Sequence, residues 1–127
     1  MYVKSAKELD VYKLAYKQAI EIFDISKNFP EEEKYSLTNQ IRRSSRSVCA
    51  NLREAWSKRR YIAHFISKIT DCDGENSETE TWIDFAKDCK YISTTDYKKL
   101  SKNNKLIGQK LGTMIKKADK FCGIIDD

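Results

Sequence analysis

One proline, Pro30, stands in this chain of 127 residues, and only four glycines accompany it. A chain so poor in turn-forming residues cannot supply the many tight reversals of an all-β fold, so it has to fold as long helices with few connections. Apolar residues recurring every three to four positions predict four of them, at about 8–28, 33–57, 60–91 and 95–122, in a single domain spanning 1–127. The first break falls at Asn28-Phe29-Pro30, because proline pushes the residue before it out of the helical region. Glu31, Glu32 and Glu33 follow, where carboxylates meet the positive end of a helix dipole. Ser57-Lys58-Arg59-Arg60 is the weakest boundary, and Thr94 or Thr95 is the expected N-cap of the last helix.

The first predicted helix is apolar on two sides. Leu9, Tyr12, Tyr16, Ala19, Ile20 and Phe23 form one face, and Val11, Leu14, Ala15, Ile22 and Ile25 form a second, nearly opposite. A bundle helix needs one buried stripe. The second face is therefore expected in a subunit interface, the alternative being that the other helices wrap it within one chain. In the second helix Leu37, Ile41, Ser44, Val48, Leu52 and Ala55 face inward. Arg42, Arg46 and Arg53 project from the far side, and Arg60 joins them if the helix continues. The third helix changes character near Gly74. Its apolar stripe Ile62, Phe65, Ile66, Ile69 runs on into Asp73, Asn76, Glu80 and Asp84, while Trp82, Phe85, Ala86 and Cys89 lie elsewhere. That predicts a bend or a change of packing partners. Arg43, Asn51, Thr81 and Ser44 are candidate partners for any polar group it buries.

Charge is organised in blocks. Residues 42–70 hold eight basic side chains against Glu54 alone, and residues 71–89 hold seven acidic ones against Lys87 alone. Arginine binds phosphate through a planar fork of donors. Arg42, Arg46, Arg53, Lys58, Arg59 and Arg60 are thus candidate contacts to RNA or DNA, with Trp56 and Tyr61 placed to stack on bases. The competing reading pairs these arginines with Asp71, Asp73, Glu75, Glu78 and Glu80, within a subunit or between subunits.

Catalytic and metal chemistry find no support. A di-iron bundle needs two Glu-x-x-His motifs, and the chain has one histidine, His64, without a glutamate at position 61. Glu78 and Glu80, two apart on a helix, point in different directions. No nucleophile triad or phosphate-cradling glycine loop is present. No catalytic residue, cofactor, metal or small-molecule substrate is expected. Cys49, Cys72, Cys89 and Cys122 lack metal-ligand spacing and read as reduced, packed thiols. No apolar run is long enough to span a membrane, and Met1-Tyr2-Val3-Lys4-Ser5 lacks the core of a secretory signal, so a cytoplasmic location is expected.

Certain motifs carry a family likeness: Leu9-Asp10-Val11-Tyr12-Lys13-Leu14-Ala15, Phe29-Pro30, Tyr35-Ser36-Leu37, Gln40-Ile41-Arg42-Arg43-Ser44, Ser47-Val48, Ala50-Asn51, Glu54, Glu78-Thr79-Glu80-Thr81 and Tyr91-Ile92. On these the chain, over about residues 9–122, resembles the small helical proteins encoded in intervening sequences of bacterial 23S ribosomal RNA genes. Their frequent label of ribosomal protein reflects gene location. The resemblance implies an up-down-up-down antiparallel four-helix bundle, a ring-like homo-oligomer (a pentamer) and no established catalytic activity. A related bundle serves reverse transcriptases of diversity-generating retroelements, where nucleic-acid binding is proposed. Arg43, Asn51, Glu54, Glu78 and Thr81 would then hold structure. Two departures stand out: Ala55 where glycine is common, and an unusually acidic Asp71–Asn76 segment.

Overall fold

The computed structural model describes residues 5–122. Its helices are α1 (Asp10–Ser26), α2 (Leu37–Ser57), α3 (Ile62–Asp88), α4 (Thr94–Lys116) and the single-turn α5 (Ala118–Phe121), with 3-10 turns at Ala6–Glu8 and Glu31–Glu33. The glutamates after Pro30 form their own short turn, so α2 starts later than expected. Short connections make consecutive helices antiparallel neighbours. α1 also packs on α4, leaving α1 and α3 on one diagonal and α2 and α4 on the other.

Local chemistry explains the ends. Ser93, not Thr94 or Thr95, caps α4: its Oγ accepts from the Asp96 amide at 3.0 Å. α3 stops at a left-handed Lys90, φ 64°. Its amide donates to Lys87 O at 2.9 Å, and that of Tyr91 donates to Ala86 O at 2.8 Å. This pair of bonds satisfies the last carbonyls of a helix. Tyr91 then packs on Phe29 and donates from its hydroxyl to Glu33 at 2.9 Å, tying the α1–α2 connection to the α3–α4 connection.

α3 does not break at Gly74. It runs as one helix, and its buried stripe is Phe65, Ile69, Cys72, Asn76, Thr79, Ile83 and Ala86. Those positions alternate spacings of four and three, a heptad period of 3.5 residues. On α4, Leu100, Asn104, Ile107, Leu111 and Met114 follow the same rule. Predicting with about 100° per residue drifts off such a stripe by about 20° each heptad. The expected change of face at Gly74 was that drift.

The core has two apolar ends. One gathers Leu9, Tyr12, Leu52, Trp56, Phe65, Ile69 and Leu111. The other gathers Ile22, Phe29, Leu37, Ile41, Ile83 and Leu100. Buried polar side chains lie between them, contributed by all four long helices: Gln18, Ser44, Asn76, Thr79 and Asn104. Asn104 Nδ2 donates to Asn76 Oδ1 at 3.0 Å and to its carbonyl at 3.1 Å, and Asn76 Nδ2 returns a bond to Asn104 O at 2.9 Å. The Thr79 hydroxyl donates to Ser44 Oγ at 2.8 Å, and Gln18 Nε2 donates to Leu100 O at 2.9 Å. Each partner removes a desolvation cost of about 1–3 kcal/mol.

α1 is turned the other way from the expected interface arrangement. Val11, Ala15 and Ile22 are buried within this one chain, with Leu14 and Ile25 packed at the edges of the core. The wrapped alternative describes that face. Solvent instead meets Tyr16 and Ile20, 54% and 49% exposed. Gln18 tilts the balance, since its buried bond to α4 lies in line with Val11, Ala15 and Ile22.

Candidate functional site

α2 presents arginines toward two neighbours. Toward α3, Arg43 donates to both carboxylate oxygens of Glu78 at 2.9 and 3.0 Å and to Glu75 at 3.4 Å. The Glu78 hydrogen bond, backed by the Glu75 charge, pushes the guanidinium pKa up further. Further along the same α2–α3 seam, Glu54 meets Lys68 Nζ at 2.7 Å, and Lys68 also reaches Asp71 at 3.4 Å. The hydrogen bond from Lys68 holds the Glu54 carboxyl below its ordinary value. The acidic block therefore neutralises Arg43, and Lys68 is shared between Glu54 and Asp71. Asn51 donates to Ser47 and the exposed Thr81 to Ser77 O, so these two act within their own helices.

Toward α1 the arginines lie on rings. The Arg42 guanidinium sits 4.8 Å from the Phe23 centroid, and its Nε donates to Ser26 Oγ at 2.7 Å. Arg46 lies 5.5 Å from the same ring, and Arg53 lies 5.6 Å from the Tyr12 ring. Among the described residues, no carboxylate lies within ion-pair distance of Arg42, Arg46 or Arg53. Two grooves hold these arginines. One, of about 700 Å³, is lined by Lys34, Tyr35, Thr38, Asn39, Arg42, Arg43, Arg46, Ser47 and Ala50. The second, of about 640 Å³, is lined by Lys7, Tyr12, Lys13, Tyr16, Lys17, Ile20 and Arg53.

The remaining candidates stand apart. α2 ends at Ser57, so Arg60 does not extend the stripe; it sits exposed with Lys58 in the turn before α3. Arg59 folds back over Trp56 at 4.3 Å and donates to its carbonyl at 2.9 Å. Trp56 is buried under it and offers no free face for a base, while Tyr61 pairs with His64. Sequence reasoning missed Lys7, Lys13, Lys17, Lys34 and the α1 rings as members of the basic face. The signal was present: Lys13 and Lys17 repeat at four-residue spacing beside Tyr12 and Tyr16.

Other chemistry is sparse among the described residues. No three metal-binding side chains converge there. Burial pushes the Cys49 thiol up to about 11 and the Cys72 thiol to about 12, which keeps both protonated near neutrality. No described helix is long and apolar enough to cross a membrane.

A family model described as 23S rRNA-intervening sequence protein matches residues 7–113. Among solved structures, a crystal structure of a protein with unknown function from the S23 ribosomal protein family of Bacteroides thetaiotaomicron shares 30% identity. The match covers 84% of this chain and 95% of that one, with a TM-score of 0.75. Comparison with curated proteins gives no match.

Proposed function

The chain belongs to the 23S rRNA-intervening sequence protein family, and on the geometry of its α1–α2 face we propose that it is a noncatalytic helical bundle that binds RNA or DNA. One observation carries this reading. Among the described residues, Arg43, on the α3 side, has carboxylate partners, whereas Arg42, Arg46 and Arg53, on the α1 side, have rings and a hydroxyl. A guanidinium resting on a ring keeps outward donors for phosphate. Arg42 and Arg53 are eleven residues apart, so the row spans about 16 Å of helix. Lys58 and Arg60 extend the positive field beyond its end.

The test is anisotropy of labelled ribosomal RNA fragments and duplex DNA. Counterion release predicts that affinity for duplex falls about 40-fold between 50 and 200 mM salt if three phosphates are neutralised. Arg46→Glu with Arg53→Glu should abolish binding while helicity and assembly state stay unchanged. Salt-insensitive or absent binding at low ionic strength removes the reading.

A second reading, self-association, is favoured by a groove of about 520 Å³ between the start of α2 and the end of α3. Trp82 and the half-exposed Phe85 line it beside the carboxylate of Glu33, a charge opposite to that around Tyr16 and Ile20. A head-to-tail contact between copies would join these unlike patches and close into a ring if the rotation permits. Light scattering decides between five copies, another number and a lone chain, and Phe85→Glu should dissociate the assembly.

A further inference from the structure

The groove around Tyr16 has a composition that phosphate binding alone does not require. Its cations are Lys7, Lys13, Lys17 and Arg53, and its remaining walls are Tyr12, Tyr16 and Ile20; among the described residues no carboxylate lines it. Tyr16 stacks on Tyr12 with ring centroids 6.1 Å apart and planes 29° apart, yet remains 54% exposed. A second exposed ring stands by the far end of the arginine row: Tyr35, 84% exposed and with Lys34 Nζ over its ring at 5.5 Å, lines the groove that holds Arg42 and Arg46. An exposed ring beside cations suits a ligand that is flat and apolar in one part and anionic in another. Unpaired nucleotides have that chemistry, whereas a duplex hides its base faces in the stack.

We infer that this face takes single-stranded nucleic acid, with bases on Tyr16 and Tyr35 and intervening phosphates on Arg42, Arg46 and Arg53. The inference rests on the polyanion reading above and narrows it to unpaired strands. Direct hydrogen bonding to base edges is not needed, so sequence preference should be weak.

The experiment compares a labelled single-stranded DNA of mixed sequence with its own duplex, at matched salt, by anisotropy on the full chain. The expected result is tighter binding of the single strand. Tyr16→Ala should weaken single-strand binding about tenfold, as loss of one stacked base does, and leave duplex binding and the salt slope unchanged. Tyr16→Phe should restore the single strand. Thermal melting checks that both variants fold, and Tyr35→Ala repeats the test at the other ring. Equal loss for both strands, or no loss for either, overturns the inference and leaves the polyanion reading standing. Absence of binding by both probes ends both readings. Should Tyr16→Ala instead dissociate an oligomer without altering strand preference, a second copy covers the ring and the inference fails.

Discussion

The two sides of α2 use the same residue type to different ends. On the α3 side Arg43 is held by Glu75 and Glu78, with Ser44 and Thr79 bonded just beneath. On the α1 side Arg42, Arg46 and Arg53 rest on Phe23 and Tyr12. Charges with partners inside the chain have spent their donors on the fold, and those laid over rings keep donors facing outward. Neighbouring positions 42 and 43 thus meet different surroundings, because successive residues on a helix are turned about 100° apart.

The largest expected stability effect tests the α3 side. Thr79→Val keeps the shape but leaves the fully buried Ser44 Oγ without its donor, and should lower the unfolding free energy by about 1–3 kcal/mol in denaturant titration. A neutral result would mean that the Ser44–Thr79 hydrogen bond adds nothing to the hold of this side. A smaller contrast lies between the arginines. Arg43 is 48% exposed, so Arg43→Ala should cost at most about 1 kcal/mol, while Arg46→Ala or Arg53→Ala should stay within about 0.5 kcal/mol. Equal losses at all three would erase the distinction between the sides. Acid gives the finest test. Glu54 is depressed in the fold chiefly by its hydrogen bond from Lys68, so its stabilisation exists above the ordinary value of 4.5 and disappears as pH falls through the lower folded value. The melting temperature should therefore decline below about pH 4.5. Glu54→Gln should flatten part of that decline, and Arg46→Ala should not change it.

Much of the bundle was legible from hydropathy, and the failures have physical origins, the heptad drift along α3 among them. The inner face of α2 was read correctly because Leu37, Ile41, Val48, Leu52 and Ala55 are all apolar or small and all buried. α3 and α1 were misread where a polar residue occupies a core position. Asn76, Thr79 and Gln18 look like surface residues in a sequence, and only the partners that Asn104, Ser44 and the Leu100 carbonyl provide make their burial affordable. Hydropathy also weighs both faces of α1 alike, so it could not tell Val11 and Ala15 from Tyr16 and Ile20. For the candidate site, the arginines were legible by type. Their aromatic seats were not, because Phe23 and Tyr12 belong to a different helix.

The paired asparagines make the bundle hard to assemble out of alignment. Sliding α4 by one heptad against α3, about 10.5 Å, would set Leu111 opposite Asn76 in place of Asn104. All three hydrogen bonds between the asparagines would be lost in a dry interior, whereas a uniformly greasy seam would accept the shift with little complaint. Asn76 and Asn104 therefore work like a notch and its pawl: one setting of the helices closes, and the outer rings and guanidinium groups inherit their relative positions from that single setting.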